Sequence, residues 1–178
     1  MVIYMLSPRN LLANIKSGFT LIEVVIYIAL FGILFGGAIV ASYNVIESSG
    51  RNQSRAQLQA EGEFLLAKIG YVLSGVQNIS MPSVGITGSI LKLSKYDGTT
   101  VSVYATGPLL MLQTSANNLP INTSSMGLSP NSLLFTHLAS SGNGINPESL
   151  KVEFTLTTLT PTGRVLSQDF SSTTYVRK

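Results

Sequence analysis

Residues 16–42 read KSGFTLIEVVIYIALFGILFGGAIVAS, and the interpretation of the chain begins from this stretch. Its last 19 residues, 24–42, carry no charged side chain, and a helix needs about 20 apolar residues to cross the hydrocarbon core of a bilayer. The carboxylate of Glu23 stands directly before this run, and Gly18 stands two residues after Lys16. The stretch therefore predicts a membrane-spanning helix with an unusual start.

The composition of the whole chain fits such a helix joined to a polar domain. Charged residues make up only 11% of the 178 residues, and the mean hydropathy is +0.36, whereas about 25% is usual for soluble domains. Without Arg9 and Lys16, which precede Gly18, 9 basic residues remain of 11 against 8 acidic ones, so the net charge falls from +3 to +1. The sequence thus gives no electrostatic case for tight nucleic-acid binding.

The apolar run differs from an ordinary secretory signal peptide. Such a peptide has an apolar region of about 7–15 residues followed by a cleavage site of small residues. Here the run is longer and continues as a helical pattern, although its small residues leave cleavage after Ala41 open. Arg9 and Lys16 favour a cytoplasmic N-terminus, and Arg51 and Arg55 beyond the far end weaken that bias.

The contiguous residues GFTLIE at 18–23, with a basic leader before them and an uncharged helix after them, resemble the processing site of prepilins and pseudopilins. These are the subunits of type IV pili, type II secretion pseudopili and competence fibres. The resemblance covers roughly the first third of the chain. It implies that prepilin peptidase cuts between Gly18 and Phe19, that the new Phe19 amine is N-methylated, and that Glu23 is an assembly carboxylate.

Physical chemistry also explains, independently of the resemblance, why a glycine at position 18 and a carboxylate at position 23 suit such a site. Glycine lets an extended backbone enter a peptidase cleft without a side-chain clash. A charge inside a bilayer helix costs about 2.5–3.5 kcal/mol on insertion scales, so Glu23 needs a partner or a function. Cleavage creates a mostly protonated α-amine at Phe19, one helical turn away. The partner is either this amine or, as the resemblance suggests, that of a neighbouring subunit; a glutamate that only snorkels to the interface is the alternative.

Three glycines, Gly32, Gly36 and Gly37, interrupt the apolar half of the helix. A G-x-x-x-G pair permits close contact between helices. Glycine also softens a helix, because it costs about 1 kcal/mol relative to alanine in the interior. The resemblance favours softening, and ordinary glycine usage in membrane helices is the alternative.

The helical pattern continues beyond the apolar run and then changes to strands. One apolar stripe is spaced at intervals of 7, 4, 3 and 4, on Leu58, Leu65, Ile69, Val72 and Val76. We therefore predict one helix from about residue 19 to about residue 74. The corresponding division of the chain is a cleaved leader 1–18, a transmembrane and assembly half 19–46, an amphipathic half 47–76 and a β-rich head 77–178.

Beyond Gly75 the apolar residues alternate between turn signals. Asp97-Gly98 predicts a hairpin between strands at 90–93 and 99–105. Residues 115–129 are predicted as a polar loop and 141–147 as a turn. Further strands are predicted at 109–113, 132–138, 150–159, 165–170 and 172–177. The predicted fold class is α+β, a long N-terminal helix packed on a C-terminal antiparallel β-sheet, as in pilins.

The sequence offers no catalytic, cofactor-binding or metal-binding constellation. His137 is the only histidine and cysteine is absent, so we interpret His137 as structural. The acidic residues of the head are scattered and form no calcium loop. Glycosylation motifs begin at Asn52, Asn78 and Asn122, and chance matches are expected in a chain so rich in Asn, Ser and Thr.

The favoured hypothesis is a non-enzymatic fibre subunit, a minor rather than a major one because the head is large and lacks the cysteine pair of many major pilins. The implied partners are prepilin peptidase/methylase, other pilin or pseudopilin subunits, an inner-membrane assembly platform and membrane lipid. The chain would be a single-pass inner-membrane protein with a cytoplasmic N-terminus and an extracytoplasmic head, and later part of a surface or periplasmic fibre. The alternative is an uncleaved, permanently anchored extracytoplasmic binding module; an enzyme is the least favoured class.

Overall fold

The computed structural model describes residues 18–140 and 147–176 of the chain. Within these residues one α-helix, α1 (Leu21–Val72), precedes ten β-strands, which confirms the predicted α+β class. The chain divides into two compact units, of which the first ends at Asn44 and the second begins at Val45. The predicted leader, apart from Gly18, and the predicted turn at 141–147, apart from Pro147, lie outside the described residues.

Beyond Glu23, the described part of the first unit is a stretch of helix with an exposed, uncharged surface. Every residue from 24 to 44 is exposed, including large side chains such as Ile33 at 75% and Leu34 at 70%. Among the described residues this is the one helix that is long and apolar enough to cross a membrane. Because water does not tolerate so large a contiguous apolar surface, lipid or other apolar helices must cover it.

The second unit contains two antiparallel sheets rather than the single sheet that the sequence predicts. The first has the order β1-β3-β4-β5-β6, and the second has the order β10-β9-β8-β2 with β7 also paired to β9. The strands are β1 (Val76–Met81), β2 (Thr87–Gly88), β3 (Ile90–Lys95), β4 (Thr100–Thr106), β5 (Leu109–Thr114), β6 (Asn118–Pro120), β7 (Gly127–Leu128), β8 (Leu134–Leu138), β9 (Ser149–Leu159) and β10 (Val165–Tyr175).

One face of the second half of α1 closes the core of this unit. Its buried residues recur every three or four positions, as a helix packed on one side requires, and they are Ser54, Leu58, Gly62, Leu65, Ile69 and Val72. Apolar side chains from both sheets, among them Leu91, Val103 and Phe154, complete the same cluster. The predicted amphipathic stripe is therefore confirmed as far as Val72.

The helix ends at Val72, two residues before the predicted end near residue 74, and Val76 of the predicted stripe lies outside it. Gly75 has a positive φ of 70°, a conformation that commonly ends helices because glycine has no Cβ to clash. Val76, which fits the helical spacing, is instead the first residue of β1 and is fully buried there. Spacing alone cannot separate a last helical turn from a first buried strand residue.

The predicted hairpin at Asp97-Gly98 is confirmed by the pairing of β3 with β4. Gly98 has a φ of 81°, and the Thr99 amide donates a hydrogen bond to Asp97 Oδ1 at 2.8 Å. The strands predicted at 165–170 and 172–177 form one continuous strand, β10. The sequence misses β1, the two-residue β2, and the β6 and β7 strands inside the predicted polar loop.

The β9–β10 hairpin packs against α1 at two glycines. A Cβ placed on Gly62 would lie 2.1 Å from the ring carbons Cε1 and Cζ of Phe170, whose ring stacks on Phe154 with centroids 5.4 Å apart. A Cβ on Gly50 would lie 3.2 Å from Cγ of Pro161. Both glycines, which would weaken an isolated helix, thus permit close contact with the hairpin.

Candidate processing and assembly site

The start of α1 is fixed by residues that follow Gly18. Thr20 Oγ1 accepts a hydrogen bond from the Glu23 amide at 3.3 Å, and the Thr20 carbonyl accepts one from the Val24 amide at 3.2 Å. The spacing of Thr20 and Glu23 is that of a capping box, in which the N-cap hydroxyl binds an otherwise unpaired amide of the first turn. A cut after Gly18 would leave this cap within the remaining chain.

The predicted cleavage position lies in an exposed, non-helical segment directly before the helix. Residues 18–20 have no regular secondary structure, and the Phe19 side chain is 74% exposed. A Cβ placed on Gly18 would meet no described atom within 4 Å. Both residues that flank the Gly18–Phe19 bond are therefore exposed.

Glu23 has a hydrogen-bond partner from the next turn of its own helix. The Tyr27 hydroxyl donates to Glu23 Oε1 at 2.9 Å. The Tyr27 ring meets the Phe19 ring edge-on, with centroids 6.2 Å apart and planes at 78°. Phe19, Glu23 and Tyr27 recur every four residues, so they form one cluster on one side of the first two turns.

A shallow apolar groove borders this cluster. It has a volume of about 360 Å³ and is lined by Phe19, Val24, Tyr27, Ile28 and Phe31. The Phe31 ring also contacts the Phe35 ring, with centroids 4.2 Å apart. The groove therefore forms an apolar concave surface on the first turns of α1, beside the cluster.

The structure brings some of the predicted site residues together and leaves others apart. Gly18, Phe19 and Glu23 all lie at the start of α1, whereas the three glycines at 32, 36 and 37 lie inside the continuous helix. Thr20 and Tyr27 join the cluster without having been predicted as site residues. The T-x-x-E spacing and the four-residue interval from Glu23 to Tyr27 were the available signals for them.

His137, which the sequence analysis interprets as structural, is buried and joins two segments of the head. It is 1% exposed, its Nδ1 lies 2.9 Å from the Pro82 carbonyl oxygen, and its Nε2 lies 2.7 Å from Glu148 Oε1. A carbonyl only accepts, so Nδ1 donates, and the ring ties β8 to the segment at Pro82. Within residues 18–140 and 147–176 there is no group of three or more His, Asp or Glu that could hold a metal ion.

Asn122 has a packing role that conflicts with its glycosylation motif. It is 8% exposed; its Oδ1 accepts from the Leu110 amide at 2.8 Å, and its Nδ2 donates to the carbonyls of Met126 at 2.7 Å and Pro108 at 3.0 Å. A glycan on this nitrogen would break these bonds. Asn52 and Asn78 are exposed, so burial does not block their motifs.

Comparison with known families finds a match at the N-terminal end of the chain. Residues 14–39 match the prokaryotic N-terminal methylation motif, which supports a type IV prepilin-like family. The match spans the predicted cleavage position, Glu23, Tyr27 and much of the apolar helix, and with that helix it indicates a single-pass membrane-anchored protein. No curated protein and no solved structure matches the chain.

Proposed function

We propose that the chain is a non-enzymatic subunit of a type IV pilus-like or type II secretion-like fibre, cut between Gly18 and Phe19 and N-methylated on Phe19. The observation that carries this proposal is the order of three features. The exposed residues Gly18 and Phe19 come directly before α1, Glu23 lies in its first turn, and the exposed, uncharged run of residues 24–42 follows. The motif match over residues 14–39 supports processing and does not favour the permanently anchored binding module.

Each segment of the chain has a separate role in such a subunit. The leader 1–18 directs insertion and is removed. The apolar half, residues 19–46, spans the inner membrane first and then packs among the helices of neighbouring subunits. The amphipathic half, which ends at Val72, joins this element to the β-rich head on the extracytoplasmic side. In the fibre the head faces the surface or the periplasm.

Glu23 makes the transfer of the helix from lipid into the fibre energetically favourable. A carboxylate in a bilayer helix is costly, on the order of 2.5–3.5 kcal/mol, and the Tyr27 hydroxyl satisfies one of its oxygens. A protonated Phe19 amine, the subunit's own or its neighbour's, supplies the missing positive charge. Pairing with a neighbour's amine makes assembly more favourable than remaining in lipid.

The partners of this function are prepilin peptidase/methylase, other pilin or pseudopilin subunits, an inner-membrane assembly platform and membrane lipid. We infer a minor subunit because the head is large and the chain lacks cysteine, so it cannot form the disulfide-closed loop of many major pilins. The glycines Gly32, Gly36 and Gly37 provide either helix softening or close helix packing within the fibre.

The decisive variant for assembly is Glu23→Ala. We expect it to be processed and to stay in the membrane, while its amount in sheared fibres falls at least about tenfold, since 1.4 kcal/mol of lost pairing already corresponds to a factor of ten. Glu63→Ala is the matched control, because Glu63 is an exposed glutamate of the same helix outside the apolar run. Wild-type incorporation of Glu23→Ala would contradict the proposed role and would favour a plain membrane anchor.

A further inference from the structure

The tip of the β9–β10 hairpin, residues 159–165, packs against α1 just beyond the uncharged run. Arg164 Nη1 lies 3.8 Å from Glu47 Oε1, and Glu47 follows Ser42, the end of that run, by five residues. Pro161 covers Gly50 one turn further along the helix. The hairpin tip therefore packs on the first residues of the amphipathic half of α1, which directly follow the apolar half in the sequence.

Two large apolar side chains are exposed at this tip and face the same way. Leu159 is 65% exposed and Val165 is 67% exposed, and they pair directly across the hairpin. The following positions on the same face, in both strands, carry polar side chains, which are Thr157, Thr155, Ser167, Asp169 and Ser171. The outward face of the hairpin is thus apolar at the tip and polar along its shaft.

Basic side chains lie next to the apolar pair in the hairpin and on the adjoining turns of α1. Arg164 has a side chain 70% exposed and Arg51 one 39% exposed, and both contact the single carboxylate of Glu47. Arg55, one turn after Arg51, is also exposed. Arg164 and Arg51 against Glu47 leave a net charge of +1 among these three contacting groups, and guanidinium groups bind phosphate in a two-pronged geometry.

We propose that the hairpin tip is a membrane-contact site for anionic phospholipid. Leu159 and Val165 enter the boundary between headgroups and acyl chains, and Arg164 binds lipid phosphate, as amphipathic surface elements do. This inference rests on the proposed function, in which residues 19–46 span the bilayer. It gives the head a defined resting position on the membrane before the helix is transferred into a fibre.

The absence of cysteine makes a direct test simple, because one introduced cysteine carries one spin label. The full chain with Thr162→Cys is reconstituted in vesicles of phosphatidylglycerol and phosphatidylethanolamine, or of phosphatidylcholine alone. We expect the label at the tip to be several-fold less accessible to a water-soluble nickel chelate in the anionic vesicles. A control label at Tyr96, whose amide contacts the Gly75 carbonyl beyond the helix end, should stay accessible in both.

Exposed positions allow the tip to be altered without touching the core. The pair Leu159→Ser and Val165→Ser should restore nickel accessibility at Thr162, and Arg164→Gln should remove the difference between anionic and neutral vesicles. Leu119→Ser is the matched control, because Leu119 is 58% exposed on β6 in the other sheet. It should leave the accessibility of the tip label unchanged.

The outcomes separate this proposal from the function on which it rests. If the chain floats with vesicles but the tip label is equally accessible in both lipids, the lipid site is wrong and the membrane anchor stands. If the chain does not float with vesicles, both are wrong. If the label is protected only in assembled fibres, the tip contacts a neighbouring subunit, and the lipid proposal is overturned.

Discussion

Glu23 enters the apolar helix with a partner already supplied by its own chain. The Tyr27 hydroxyl lies 2.9 Å from Glu23 Oε1, and a hydrogen bond to a charged group contributes about 1.5–3 kcal/mol, more than one between neutral groups. In lipid, where water cannot replace it, this bond lowers the cost of holding the carboxylate in place. It also fixes the direction in which the carboxylate points toward a partner.

Tyr27→Phe isolates this bond by removing a single oxygen. We expect the amount of the variant in sheared fibres to fall about three- to tenfold, less than for Glu23→Ala, because the charge of Glu23 remains while its orientation is lost. Quantitative blotting of fibre and membrane fractions measures this. Tyr43→Phe removes the same atom farther along the same helix and should incorporate normally. Equal behaviour of the two variants would contradict a positioning role for Tyr27.

The Phe170 ring packs directly on Gly62, so a methyl group at this position of α1 has no room. Gly62→Ala should lower the free energy of unfolding by about 1–3 kcal/mol, as overpacking does. Gly70→Ala is the control in the same helix, since a Cβ at Gly70 would meet no described atom within 4 Å. It should raise stability by up to about 1 kcal/mol. Urea unfolding of the detergent-solubilised chain measures both, and changes of the same sign would contradict the packing.

Site residues could be predicted where they belong to one contiguous sequence motif. Gly18, Phe19 and Glu23 belong to one hexapeptide, and their roles stay predictions that processing and assembly experiments test. Tyr27 was not recognised because a tyrosine within VVIYIAL fits an apolar run. The packing role of Gly62 could not be predicted, since its contact partner Phe170 is more than a hundred residues away in the sequence.

At the scale of elements, long regular patterns were predictable and short strands were not. The 52-residue helix and the β3–β4 hairpin follow from apolar spacing and from Asp97-Gly98. Strands of two or three residues, such as β2 and β6, show no periodicity and exist because another strand pairs with them. The run of Ser and Thr at the end of β10 obscured its continuity, which its pairing with β9 maintains.

The loop before β7 depends on the Asn122 amide, which holds it against β5. Asn122→Ala should cost about 2–3 kcal/mol of unfolding free energy, because the Leu110 amide and the Met126 carbonyl lose a buried partner. Asn118→Ala is the control, since Asn118 is exposed and its amide bonds only the Tyr104 hydroxyl among the contacts described. It should change stability by about 0.5 kcal/mol or less. Comparable losses for both would contradict the assigned role of Asn122.

Asp97, in the turn of the β3–β4 hairpin, has a lowered carboxyl pKa. The Thr99 backbone amide, and to a smaller extent the Thr99 hydroxyl, donate to Asp97 and hold the pKa of its carboxyl below the ordinary value of 3.8. Because the folded-state pKa is lowered, the contribution of Asp97 to stability is present above the unfolded-state pKa. It is lost as the pH falls through the folded-state pKa.

Carboxyl-carbon NMR titration of Asp97 tests this assignment. In the wild-type chain the midpoint should lie below 3.8. Thr99→Ala should raise it only in part, since the backbone amide remains. A midpoint at or above 3.8 in the wild-type chain would show that the turn does not form as described.

For the whole molecule, the sequence predicted the α+β class and the resemblance to prepilins that the motif match supports, but not the arrangement of the head. The motif of residues 14–39 and the uncharged helix are local features, so one sequence suffices to recognise them. The division of the head into two sheets depends on long-range pairs such as Thr87 with Thr136. No local pattern specifies which strands pair at that distance.

Processing of the N-terminus tests the central proposal most directly. The chain is coexpressed with a prepilin peptidase, and the purified product is examined by intact mass and N-terminal sequencing. We predict a chain that begins at N-methylated Phe19, with residues 1–18 removed. Gly18→Val, which places a branched side chain in the peptidase cleft, should block the cut. An N-terminus at Met1 in the wild-type chain, or one at Ser42 after cleavage behind Ala41, would contradict the proposal.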